Sequence, residues 1–215
     1  MKSTMSSRKP SISAACLSLA ASVAALAALV SLHILSPEFD PSWRVVSEYA
    51  LGHYGWVLAI MFLAWAISSR ALAFAIGHEL TTITGRVALV FLFSAGAGEA
   101  LAAFFDLRHP LFHGLAAAFS VPELPIAAML ISIILGRIPL WSRAKRLLLW
   151  TANLTWISFA LLAFAMVSLT RKVGSLRLLI GWPNRLLVVL YIAWAIAVAW
   201  QAVSVSNVSI SAGSQ

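Results

Sequence analysis

Six apolar runs, each near or above twenty residues long, divide this chain of 215 residues. Crossing about 30 Å of hydrocarbon takes roughly 20 apolar residues as helix, because each backbone N–H and C=O must find its partner inside the segment. The runs fall at about 12–35, 54–76, 87–105, 112–136, 147–169 and 186–205. With 61% hydrophobic and 10% charged residues and a mean hydropathy of +0.93, the chain lies outside the range of soluble domains. The pattern predicts an all-α polytopic membrane protein, a single bundle of six transmembrane helices over 12–205. Short tails of 1–11 and 206–215 flank it.

Lys2, Arg8 and Lys9 precede the first run, and Ala25-Leu26-Ala27 resembles a signal cleavage site. Its apolar length nevertheless exceeds the roughly 7–15 residues of a signal-peptide core, so it reads as a retained first helix. Cys16 lies within that run, and a single cysteine excludes disulfides within the chain and cysteine-based zinc sites.

The net charge of +8 is a statement about topology before it is one about partners, and it gives no reason to invoke nucleic acid. An even number of spans puts both termini on one side. Placing them in the cytoplasm puts nine Lys or Arg inside, at 2, 8, 9, 70, 86, 137, 143, 145 and 146, against six outside. The fifth connection opposes this orientation, since Arg171, Lys172, Arg177 and Arg185 then face outward. Trp56, Trp141, Trp150, Trp182 and Trp200 sit near helix ends, as expected of rings at the headgroup level. Ser94, Gly98 and Ala102 recur at four-residue spacing in helix 3, a pattern of close backbone packing within the chain.

Polar chemistry is concentrated in the connections. The first reads HILSPEFDPSWRVVSEYALGHYGW over 33–56. Asp40 followed by Pro41 has the form of a helix N-cap and first helical residue, and Gly52 that of a stop. A short amphipathic outer-face helix over about 41–51 follows, with Trp43, Val46 and Ala50 on one side. Arg44 and Glu48, four apart, pair on the other, and Tyr49 joins this outer cap.

The second concentration is GEALAAFFDLRHPLFHGLAAAFSVPELP over 98–125. Glu99 and Asp106 are seven apart, two helical turns, with Glu99 inside the membrane. An acid at that depth must be neutral, paired or hydrated. Glu123, between Pro122 and Pro125, sits where the backbone ladder is broken and a polar pocket could form. Asp106, His109 and His113 offer carboxylate and imidazole ligands for a divalent cation, although no tight metal-binding spacing is present. The competing reading of Asp106 is an ion pair with Arg108. No phosphate loop, nucleophile elbow or dinucleotide fingerprint occurs.

Three stretches together resemble one family. HILSPEFDPSWRVVSEYALGHYGW, FFDLRHPLFHG and GWPNRLLVVLYIAW are similar to the bacterial six-helix membrane proteins catalogued as domain of unknown function 998. The resemblance implies a multi-pass plasma-membrane protein and brings no known reaction. The family pattern often has a second histidine after His-Gly, whereas here Leu115 follows His113-Gly114, a departure that weakens the cation-site reading unless His109 substitutes.

Three functions remain open on the sequence: a non-enzymatic component that binds membrane lipid or a membrane partner at the outer mouth, or senses conditions there; a hydrolase or transferase acting on lipid, with Asp106, His113 and Glu48 as catalytic candidates; and a small proton-coupled carrier using Glu99 and Glu123. The absence of any tight catalytic constellation favours the first, and the lack of an evident repeat between the two halves places the carrier last.

Overall fold

The computed structural model describes residues 11–170 and 180–212, with side chains through 169 and from 180 to 206. Among the described residues all regular structure is helical. Six stretches are long and apolar enough to cross a membrane. The α-helices are α1 Ile12–Leu35, α2 Gly55–Ile76, α3 Ile83–Phe104, α4 Pro110–Ser120, α5 Glu123–Leu135, α6 Lys145–Thr170 and α7 Gly181–Ala212. Helices α4 and α5 together make the fourth span.

The break between α4 and α5 follows from the two prolines. Pro125 has no N–H to return to the Val121 carbonyl four residues back, and Pro122 has none for Ala118. The Tyr191 hydroxyl of α7 donates to Val121 O at 2.7 Å, replacing the bond that Pro125 cannot make. Trp194, one turn further, donates from Nε1 to Ser132 Oγ at 3.1 Å. The wholly buried Tyr191 and Trp194 therefore tie α7 to the broken span through their polar ends while their rings fill the core.

Small residues set the helix spacing. A Cβ on Gly98 would lie 2.5 Å from Ala116 O, so α3 and α4 touch backbone to backbone there. On its neighbouring side α3 meets α2, where a Cβ on Gly96 would lie 3.3 Å from Ser69 Cβ. Between α1 and α2, Ser68 bonds Ser22 at 2.7 Å and Ser18 at 3.2 Å, satisfying hydroxyls that hydrocarbon cannot. Helix α4 packs on α3, while α6 packs on α5 and α7.

Several expectations require correction. The connection 36–54 is not an α-helix over 41–51: turns occupy 41–43, and a six-residue 3-10 helix runs Val46–Leu51 before Gly52. Trp43 is exposed while Val46 and Ala50 are buried, so these three do not share a face. Asp40 caps no helix, and its Oδ1 instead accepts from the Ser42 N–H at 2.8 Å in a local turn. Helix α7 continues through Ala212 rather than ending at 205. Cys16 is exposed on the bundle surface. Trp141 is wholly buried, whereas Trp56, Trp150, Trp182 and Trp200 are exposed, as headgroup-level rings should be. Arg171, Lys172 and Arg177 lie outside the described residues.

Candidate functional site

The connection between α1 and α2 is held by the first turns of α7, and one side chain does most of it. Arg185 is 4% exposed, yet no carboxylate lies within ion-pair distance of it among the described residues. Its Nη1 donates to the carbonyls of Pro41, Arg44 and Gly181, its Nη2 to the Tyr49 hydroxyl at 3.1 Å, and its Nε to His33 Nε2 at 2.8 Å. The planar fork of five N–H donors suits this division of partners.

His33 completes the arrangement. Its Nδ1 lies 2.7 Å from Leu29 O, and a carbonyl only accepts, so Nδ1 carries the proton and Nε2 is left as the acceptor for Arg185. Two further contacts lock the same junction. The Gly181 N–H donates to Ser42 O at 3.0 Å, and Asn184 Oδ1 accepts from the Val46 N–H at 2.7 Å. A Cβ on Gly181 would lie 2.2 Å from Pro41 O, so the loop can approach only a glycine there. We call this junction the clamp, and the end of the bundle it closes the cap end.

Beside the clamp lies a cavity of about 710 Å³. Its long walls are apolar, supplied by Gly114, Ala117 and Ala118 of α4 and by Phe159, Ala163 and Met166 of α6. It runs along α6 from Leu169 to Phe159, a rise of about 15 Å at 1.5 Å per residue, or roughly half the hydrocarbon thickness. At its cap end stand Trp43, Ser47, Glu48, His113 and Asn184. A Cβ on Gly114 would meet nothing within 4 Å, which marks that position as facing open space. A smaller chamber of about 100 Å³ shares Ser47, His113, Ala117, Val121 and Asn184 with the cavity and continues to Phe62 and Trp65. The Trp65 Nε1 is buried without a hydrogen-bond partner.

The sequence-predicted residues divide among separate places. Glu48 and His113 both line the main cavity. Glu48 Oε1 accepts from Arg44 Nη1 at 2.7 Å, and its Oε2 accepts from the Val45 N–H at 2.8 Å. The Arg44 guanidinium also stacks on Trp43, 4.4 Å from the ring centre. His113 uses Nδ1 on Phe105 O at 3.0 Å.

Asp106 stands apart from these. It lines a different recess of about 330 Å³ with His53, Trp56 and Arg108. Arg108 holds it by Nε at 2.9 Å and by its own backbone N–H at 2.9 Å, while Arg108 Nη2 reaches Ala50 O at 2.9 Å. Partial burial pushes the Asp106 carboxyl up, but the Arg108 backbone hydrogen bond and guanidinium outweigh it and hold the acid below its ordinary value. His109 lies 3.6 Å from Asp106. Asp40, fully exposed, is also held low, chiefly by the Ser42 backbone N–H.

The expected cation site does not assemble. Among the described residues no three His, Cys, Asp or Glu side chains come together in a way that could hold a metal ion. Asp106 and His113 share no hydrogen bond, because Arg108 occupies the first and Phe105 O the second. Deeper in the bundle Glu99 is fully buried, with Oε2 accepting from Ser69 Oγ at 2.8 Å and Oε1 unpartnered. Glu123 sits in the first turn of α5 with Oε2 buried and unpartnered, and no bond joins it to Glu99.

The clamp joins the first and last of the three stretches that carried the family resemblance. Residues 19–201 match the family model described as Protein of unknown function (DUF998). The chain belongs to the DUF998 family. Neither the curated proteins nor the solved structures contain a match to it. Within this DUF998 chain, sequence reasoning missed Arg185 and His33 as a bonded pair. The signals were a charged residue early in an apolar helix and a histidine at the end of another, which local patterning cannot connect across the intervening residues.

Proposed function

We propose that this DUF998 protein is a non-enzymatic membrane component that binds the hydrocarbon chain of a membrane amphiphile in the cavity between α4 and α6. The observation that carries the reading is the form of the cavity: about 15 Å of apolar wall ending in a polar cluster at the cap. That is the division of surface an amphiphile requires, with bulk apolar contact for affinity and a few polar groups for orientation. A chain transferred from the bilayer gains little hydrophobic free energy, so shape and the polar end must select the occupant. The clamp keeps that end rigid, which lowers the cost of ordering on binding.

The hydrolase or transferase reading draws less support, since Asp106 and His113 face different partners. Residence in the plasma membrane with cytoplasmic termini belongs to the same proposal, supported by nine basic residues on the inner side against six on the outer.

The test is binding of a fluorescent alkyl probe to the detergent-purified protein, compared with Gly114→Trp. Position 114 has open space for a large side chain, so the variant should fold while its indole occupies the cavity. Loss of saturable probe binding in a folded Gly114→Trp protein is expected. Unchanged binding would refute the assignment of the cavity.

A further inference from the structure

We infer that the amphiphile held in this cavity carries a neutral hydroxyl head, as a fatty alcohol or an acylglycerol does, and not an anionic one. The inference rests on the alkyl-chain reading above and concerns only the polar end.

Four groups define that end. Among the described residues, Glu48 is the only charged side chain on the cavity wall. Each of its oxygens already accepts one bond, from Arg44 and from the Val45 N–H, and a carboxylate oxygen can accept another. His113 donates from Nδ1 to Phe105 O, and in that tautomer Nε2 is a second acceptor. Asn184 has committed its oxygen to the Val46 N–H, which leaves its NH₂ to donate. Ser47 can do either. In the adjoining chamber, Trp65 Nε1 is a buried donor with no partner, on a residue 4% exposed.

This end therefore offers both acceptors and donors. A hydroxyl satisfies both in one atom: its proton goes to Glu48 or His113 while its oxygen accepts from Asn184, with the chamber beyond it offering the indole N–H. A carboxylate or phosphate accepts only. It would leave the His113 and Glu48 acceptors unmatched and set a second anion beside the Glu48 carboxylate, whose partner charge, Arg44, is already engaged. An ammonium matches Glu48 but leaves the Asn184 and Trp65 donors unused. The nearest guanidiniums do not line the cavity alongside Glu48: Arg44 gives Nη1 to Glu48, stacks on Trp43 and keeps a buried, unpartnered Nε off the cavity wall, and the buried Arg185 is committed to the clamp.

The experiment is displacement of the fluorescent alkyl probe by a saturated alcohol, amine and carboxylate of equal chain length, on the unmodified protein in neutral detergent. The alcohol is expected to displace at a concentration at least about tenfold below the carboxylate, with the amine between them. Glu48→Gln should narrow the gap between alcohol and carboxylate to about threefold. Equal or better displacement by the carboxylate overturns the headgroup assignment. Displacement by none of the three overturns the alkyl-chain reading itself. Because the ranking is measured on the unmodified protein, a poorly folding Glu48→Gln variant would not blunt the test.

Discussion

Two glycines on neighbouring parts of the cap end have opposite surroundings. At Gly181 the backbone of the α1–α2 connection presses so close that a Cβ would fall 2.2 Å from Pro41 O, whereas at Gly114 a Cβ would touch nothing within 4 Å. The first glycine belongs to a junction knit together by hydrogen bonds from Arg185, Asn184 and the Gly181 backbone itself. The second belongs to the wall of a space that the protein's own side chains leave unfilled. Trp43, Gly114, Ala118 and Met166 are exposed on its walls, so the space is a cleft open at the bundle surface, where an apolar chain can enter from the side. Their contrast separates what holds the fold from what the fold is arranged around.

The largest break in this comparison should come from Arg185→Leu. It strips the partners from three carbonyls, the Tyr49 hydroxyl and His33 Nε2 at once. A loss of about 3–5 kcal/mol is expected, read by chemical unfolding in detergent micelles. Arg185→Lys should recover little, because an ammonium cannot fork between carbonyls on two segments and a phenol. Gly181→Ala comes next, at about 1–3 kcal/mol, since backbone oxygen and not a flexible side chain receives the new methyl group. The same substitution at Gly114 should have the opposite sign. With open space outward and a helical backbone, Gly114→Ala should stabilise by about 0.5–1 kcal/mol, and a destabilisation there would mean the cavity wall is closed.

The smallest effect belongs to Asp106, away from both glycines. Its folded-state carboxyl is held below its ordinary value, so the stability it contributes is present above about pH 4, the unfolded acid's range, and is lost as pH falls through the lower folded value. Asp106→Asn should cost only about 0.2–1 kcal/mol near neutral pH, and should flatten the acid limb of a stability profile without moving probe binding.

How much of this could be read from the residues depends on the range of the interaction. The six spans were legible because apolar length is a local property, and the break near Pro122 and Pro125 because proline acts on its own carbonyl four residues back. The Arg44–Glu48 pair was legible too, being one helical turn of spacing that survives in turn and 3-10 geometry. The cap itself was misread as an α-helix: its backbone is held from outside, by Gly181, Asn184 and Arg185, and this tertiary hold replaces the ladder that Asp40 and Pro41 would have begun. Arg185 counted as a charge against the topology rule and as one letter of the GWPNR stretch, not as a bonding centre, because every partner but Gly181 lies more than 130 residues away. The cavity had the faintest trace of all, a single glycine in the middle of α4. It exists because α4 packs on α3 and α6 on α5 and α7, a fact about helix neighbours that no single helix records.

The most direct measurement of the central claim is photocrosslinking with an alkyl chain carrying a terminal diazirine, followed by mapping of the labelled peptides. The account predicts label concentrated on the facing walls, at Ala117, Ala118, Phe159, Leu162, Ala163 and Met166, and lost from them in Gly114→Trp. Label spread evenly over the exposed faces of all the spans, or unchanged in Gly114→Trp, would contradict it.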